Sequence, residues 1–146
     1  MVHLEEITKE NFYQVIELKR PKEEPYVASN VLSLAEAWLY RNDGQVRPQA
    51  IYADDTLVGF TMTYDELDRP VRSLWRILIP EEYTNKGYGS QALKLILAEA
   101  REQGGLEKVE LSYVPGNTMA EHVYEQVGFR ANGRIDDGEV VMEYTL

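Results

Sequence analysis

Cysteine is absent from the 146 residues, and histidine occurs only at His3 and His122. Neither a disulfide framework nor a thiol nucleophile is available, and no metal site is expected. Long apolar runs are missing too: nothing approaches the roughly 18 residues that span a bilayer. The opening Met1-Val2-His3-Leu4-Glu5-Glu6 lacks the basic and apolar regions of a signal peptide. These absences point to a cytoplasmic protein with no membrane partner. Positive charge is scarce, with 15 Lys and Arg against 25 Asp and Glu, a formal net charge of −10. Nucleic acid is excluded as a partner because its affinity rests on cations neutralising phosphates. A polyanionic ligand would be repelled at long range and must be held by local donors, whereas a cationic one is attracted. No repeat, linker or low-complexity segment interrupts residues 1–146, which read as a single domain with length enough to cover both faces of a sheet.

The stretch from Leu74 to Ala100 organises the rest. Trp75 to Ile79 are bulky and mostly β-favouring, Pro80 stops the strand, and Leu93, Ile96, Leu97 and Ala100 recur at one helical face. Between strand and helix lies Asn85-Lys86-Gly87-Tyr88-Gly89-Ser90. Two glycines at a helix entry permit a tight turn and leave the first N–H groups unscreened, with the positive end of the helix dipole behind them. An anion, most simply a phosphate, belongs there. Ordinary helix entry uses such turn residues as well, and the run is neither a P-loop nor the full dinucleotide fingerprint, since Ala92 stands where its third glycine would be.

Residues 77 to 92, ILIPEEYTNKGYGSQA, resemble the acetyl-coenzyme A loop of the GNAT superfamily of N-acetyltransferases. That loop is a hydrophobic strand, then Gln/Arg-x-x-Gly-x-Gly/Ala, then a helix; here Thr84 occupies the Gln/Arg position. Asn117 and the run Tyr124-Glu125-Gln126-Val127-Gly128-Phe129 resemble the superfamily's second signature. The resemblance implies acetyl-coenzyme A as co-substrate. It places Ile77, Leu78, Ile79, Thr84, Asn85, Lys86, Gly87, Tyr88, Gly89, Ser90 and Asn117 against it, with Tyr124 as general acid.

Taken in order, the chain predicts a strand at 3–7 and a helix over 9–19 capped by Thr8, with Phe12, Val15 and Ile16 inward. Ser33-Leu34-Ala35-Glu36 has the form of a capping box opening a second helix through Arg41. Three strands follow at 50–53, 56–64 and 72–79 as an antiparallel meander. The Gly89 helix ends at Gly104-Gly105, a strand runs through Val109, Leu111 and Tyr113, and Asn117 caps a helix ending at Gly128. A hairpin around Asp136-Asp137-Gly138 closes the chain. The expected class is α/β (α+β), a mixed, mostly antiparallel sheet of about seven strands flanked by about four helices. The resemblance adds that strands 4 and 5 lie parallel and splay apart, admitting the cofactor's pantetheine arm.

Acetyl transfer to an amine needs stabilisation of the thioester oxygen and protonation of the departing thiolate. Backbone N–H groups near Leu78 and Ile79 suit the first, and the Tyr124 phenol the second. Lys86 could pair with a phosphate or stand idle as an exposed turn lysine. Asn117 could cap its helix, touch the pantetheine, or do both. His122 reads as a surface histidine. No acid stands at the strand position where related polyamine acetyltransferases carry a glutamate; Trp75 is there, which leaves Glu110, Glu36 or water as the base. Residues 26–37 with 74–77 resemble the bacterial spermine/spermidine acetyltransferase branch, which implies a polycationic small-molecule amine and a possible homodimer. Tyr26, Glu36, Trp75 and Glu110 are the candidate acceptor contacts. A protein N-terminus or aminoglycoside acceptor, and a non-catalytic coenzyme A sensor, are the alternatives.

Overall fold

A computed structural model describes residues 1–23 and 27–146. In chain order it contains β1 (Val2–Glu6), α1 (Phe12–Glu17), α2 (Asn30–Leu39), β2 (Arg47–Ala53), β3 (Thr56–Asp65), β4 (Val71–Leu78), α3 (Tyr88–Gln103), β5 (Lys108–Tyr113), α4 (Thr118–Val127), β6 (Arg130–Asp136) and β7 (Glu139–Thr145). The strands form one 7-stranded sheet in the order β1-β2-β3-β4-β5-β7-β6. Every neighbouring pair is antiparallel except β4 and β5. This is the mixed sheet expected from the sequence, with the parallel pair in the expected place.

The helices divide between the two faces. On one, Val15 of α1 and Leu34 and Ala37 of α2 pack with Ala50, Phe60, Met62 and Trp75. On the other, Leu93, Ile96, Leu97 and Ala100 of α3 join Tyr124 of α4, Leu74, Leu111 and Met142. The four α3 residues share the face that their spacing predicts, and burying them is what fixes that helix to the sheet.

Both N-terminal helices begin elsewhere than the sequence suggests. Asn11 accepts from the Thr8 N–H (2.8 Å) and donates to the Glu6 carbonyl (3.0 Å), so residues 8–11 make a separate turn and α1 starts only at Phe12. Phe12, expected inside, is exposed, and Val15 alone is fully buried there. In α2 the cap is Ser29, whose Oγ accepts from the Leu32 N–H at 3.2 Å. Ser33 consequently lies inside the helix and the Ser33–Glu36 capping box does not form. The pattern is locally correct, but a better cap one turn upstream takes its place.

The Tyr-Glu-Gln-Val-Gly-Phe run has a packing function of its own. Gly128 stops α4 at φ +121°, and a Cβ there would lie 2.9 Å from the Tyr144 ring. Phe129 is fully buried beside the Tyr124 and Tyr144 rings.

On the strand row that runs from Tyr144 through Val109, the buried Arg72 guanidinium donates from Nε to Asp65 Oδ1 at 2.7 Å. Burial by itself would raise the Asp65 carboxyl, but hydrogen bonds from Arg72, Arg47 and Gln103 outweigh it and hold the group at about 2. Because the folded value lies below the unfolded one of about 3.9, this contribution to stability is complete above that value and disappears as pH falls towards 2. Chemical denaturation between pH 5 and 2 is expected to show that loss, and Asp65→Asn to flatten it. Asp65→Ala, which strands the Arg72 charge, is expected to cost about 3–5 kcal/mol at neutral pH.

Candidate active site

β4 and β5 stay together for only three rungs, Val71 with Lys108, Arg72 with Val109 and Ser73 with Glu110. Beyond Ser73 they part. β4 remains paired with β3 as far as Leu78, but Met62 opposes Arg76 and Thr63 opposes Leu74, so Trp75 is an extra residue, a β-bulge. A bulge bends and twists its strand, here at the point of divergence. The edge of β4 from Leu74 to Leu78 therefore borders a gap with no strand beside it, and its outward backbone groups need another partner.

Two cavities meet at this gap. The larger, about 690 Å³, runs from the gap to the N-terminus of α3. The smaller, about 260 Å³, opens from the same gap beside Trp75, Ser112 and Glu139. Val27, Ile77, Asn117 and Tyr124 line both. Tyr124 thus stands where the contents of one cavity would touch those of the other.

The larger cleft is shaped by backbone. Asn85 and Gly87 both take left-handed conformations, at φ +62° and +81°. The first helical bond of α3 runs from the Gln91 N–H to the Gly87 carbonyl (3.0 Å), so the amides of Tyr88, Gly89 and Ser90 have no intrahelical acceptor. Successive unpaired amides at the positive end of a 16-residue helix make a site for a diphosphate. Gly89 is the informative position. Its φ is not positive, and a Cβ there would find only Ile79 Cγ1, at 4.0 Å. The fold does not require glycine at 89; the missing side chain leaves room in the cleft.

Ile77, Ile79, Thr84, Asn85, Gly87, Tyr88, Gly89, Ser90 and Asn117 all line this cleft. Leu78 does not, being buried in the core at 2% exposure, and Lys86 is exposed on the turn outside the lining. Thr84 Oγ1 donates to the Glu81 carbonyl at 2.7 Å, which commits its only donor within its own turn. Asn117 Oδ1 accepts from the Ala120 N–H at 3.3 Å, so it caps α4 while facing both cavities. His122 is exposed at the rim. Arg20, which no motif marks, lines the cleft and donates from Nη1 to the Ile79 carbonyl at 2.8 Å.

Tyr124 is 7% exposed. Burial, reinforced by the Glu139 charge, pushes its phenol well above the usual value, so it stays a proton donor across the working pH range.

The acceptor candidates separate. Trp75 lines the smaller cavity, its ring against Tyr40 and Tyr64 at 5.8 and 5.6 Å. Glu36 does not line it; its Oε1 accepts from Arg76 Nη2 at 2.8 Å, and Arg76 does line it. Glu110 lies away from both cavities, against Arg69 (3.0 Å), Arg134 (3.2 Å) and Lys108 (3.4 Å). Burial would raise its carboxyl, but these cations, Arg69 foremost, hold it below the usual range, which removes it as a base. Tyr26 falls outside the described residues. Glu139, in the cavity wall, carries no signal in the sequence, because only the fold shows that the last hairpin reaches the gap.

A sheet forked at a parallel pair, with a phosphate-type helix entry beside the fork, defines an acyl-coenzyme A-dependent transferase. Residues 4–129 match the Acetyltransferase (GNAT) family, and the chain belongs to it. It is an acetyl-coenzyme A-dependent N-acetyltransferase. The chain is 29% identical to a spermine/spermidine N(1)-acetyltransferase of Bacillus subtilis (strain 168), over 97% of this chain and 96% of that one. In fold it is similar to a spermidine N-acetyltransferase from Vibrio cholerae in complex with coenzyme A and spermine, at TM-score 0.75 and 18% identity over 99% of this chain and 95% of the other. It is also similar to an aminoglycoside acetyltransferase in complex with coenzyme A, at TM-score 0.81 and 19% identity over 99% and 95%. Among the described residues no helix is long and apolar enough to cross a membrane.

The open space at Gly89 separates folding from cofactor binding. Gly89→Ala is expected to keep or slightly raise the melting temperature, as glycine replacement in a helix usually does. The same change is expected to weaken acetyl-coenzyme A binding about tenfold by calorimetry, as a methyl group intrudes on the diphosphate. A variant that loses stability and keeps its affinity contradicts this assignment.

Proposed function

We propose that the chain transfers the acetyl group of acetyl-coenzyme A to a primary amine of a small polycation of the spermidine or spermine type, by direct attack within a ternary complex. The observation that carries this reading is the position of Tyr124 between the two cavities. The larger would hold the coenzyme, with its diphosphate on the amides of residues 88–90 and its pantetheine arm along the free edge of β4. The smaller would hold the acceptor. Its volume of about 260 Å³ lies below the roughly 300 Å³ at which sites for drug-sized ligands begin, and suits a slender chain better than a multi-ring aminoglycoside. The net charge of −10 favours a cation, and the Bacillus subtilis relative is named for polyamine acetylation.

In this reading backbone N–H groups near Leu78 and Ile79 meet the thioester oxygen, and the neutral amine attacks from the smaller cavity. A C–N bond forms as the C–S bond breaks. The amine's surplus proton leaves through the solvent-connected cavity, while Tyr124 donates its phenolic proton to the departing sulfur and is reprotonated by water. No aspartate or glutamate need act as a base if the acceptor's own deprotonation sets the pH dependence.

Two kinetic results test this. Tyr124→Phe is expected to lower turnover about 10²- to 10⁴-fold with little change in acetyl-coenzyme A affinity, since only the proton donor is lost. For the wild type, kcat/KM should climb with pH as the acceptor deprotonates. It should show no fall below about pH 10, because the Tyr124 phenol is held above its usual value. An unchanged rate in the phenylalanine variant removes Tyr124 from the reaction; thiol release with spermidine but not with peptides separates the polyamine acceptor from a protein N-terminus.

A further inference from the structure

Among the described residues, two charged side chains line the smaller cavity, Arg76 and Glu139, and they are not equivalent. Arg76 is neutralised by Glu36 at 2.8 Å, an ion pair in which both side chains are largely sheltered, at 17% and 25% exposure. Glu139 is not neutralised. Ser112 Oγ donates to its Oε1 at 2.9 Å, and no cation among the described residues pairs with it. The cavity is thus left with one unbalanced negative charge, fixed in place by a hydroxyl.

Its location follows from the register of the last two strands. Ser112 opposes Val141 and Tyr113 opposes Val140, so Glu139 and Ser112 fall on the same face of the sheet, opposite the face where Leu111 and Met142 pack with α3 and α4. Tyr124 approaches the gap from that second face. Tyr124 and Glu139 both line the smaller cavity, so the two groups face one space across the gap although they come from opposite faces of the sheet. A ligand bridging them would lie through the fork, one end against Tyr124 and the other against the carboxylate.

We propose that Glu139 is the residue that selects a cationic acceptor: its free carboxylate oxygen receives an ammonium or amine N–H of the incoming polyamine and positions that molecule in the smaller cavity beside Tyr124. The assignment rests on the polyamine reading of the same site. It explains how a chain without the strand glutamate of related enzymes can still prefer a polycation. The carboxylate comes from the closing hairpin, across the gap from Trp75, which occupies the strand position. Ser112 takes one carboxylate oxygen, which fixes the direction of the other.

The test is steady-state kinetics of the full chain with acetyl-coenzyme A and spermidine, for the wild type and for Glu139→Gln and Glu139→Asp. Glutamine keeps the shape and the Ser112 contact and removes the charge. The expected result is a rise of about 10- to 100-fold in the spermidine KM for Glu139→Gln, from loss of a charge-assisted hydrogen bond. The KM for acetyl-coenzyme A and the melting temperature should hold, and Glu139→Asp should recover most of the acceptor affinity. The wild-type spermidine KM should also rise with ionic strength more steeply than that of Glu139→Gln. If the wild type acetylates spermidine and Glu139→Gln does so with an unchanged KM, the Glu139 assignment is overturned while the polyamine reading stands. A wild type that turns over no cationic amine overturns both.

Discussion

The divergence of two parallel strands is the constraint on which the rest depends. Had β4 and β5 remained paired beyond Ser73, their edges would have satisfied each other and the sheet would have closed. Instead the pairing ends after three rungs, the Trp75 bulge turns β4 aside, and a row of backbone groups borders open space. That defect in the sheet is the site. Both cavities open from it, and the α3 entry, with the unpaired amides of Tyr88, Gly89 and Ser90, follows the strand that bends away.

What keeps the fork from closing or sliding is built largely from charge. At its closed end Glu110, on the last paired rung, gathers Arg69 from the β3–β4 turn, Arg134 from β6 and Lys108 from its own strand. On the neighbouring row, Asp65 gathers Arg72, Arg47 and Gln103. Removing one member of such a cluster leaves a buried charge uncompensated, which is why these residues fix geometry more than they add net stability. The same economy of placement suits an acidic chain to an acidic coenzyme: Glu110 and Asp65 are engaged by guanidinium groups away from the cleft, whose helix entry offers main-chain amides.

The fold was largely legible in the sequence because its signals are local. The i, i+3, i+4, i+7 pattern of α3, the alternation along β5, and the glycines at 87, 104 and 128 each report a conformation that neighbouring residues impose. The failures have equally local causes. Asn11 and Ser29 displace the expected starts of α1 and α2 by offering alternative side-chain bonds, and Phe12, expected on the inner face, is the first residue of α1 and exposed. The loop lining the larger cleft is legible because its residues are consecutive. The acceptor side is not. Glu36 and Glu110, candidates because no acid stands at the Trp75 position, are engaged in ion pairs, while Glu139 reaches the gap through the β5–β7 register. A residue's membership in a cavity assembled from distant strands is a property of topology, and no short motif encodes it.

The central claim is that one fork holds both substrates in line, coenzyme on the α3 amides and amine on the opposite side of Tyr124. A crystal structure with a bisubstrate analogue, coenzyme A joined through its sulfur to spermidine, tests it most directly. The expected result is the diphosphate within hydrogen-bond distance of the amides of Tyr88, Gly89 and Ser90, the sulfur beside the Tyr124 hydroxyl, and the polyamine in the cavity lined by Trp75 and Glu139. A diphosphate seated away from α3, or a polyamine lying outside that cavity, would contradict it.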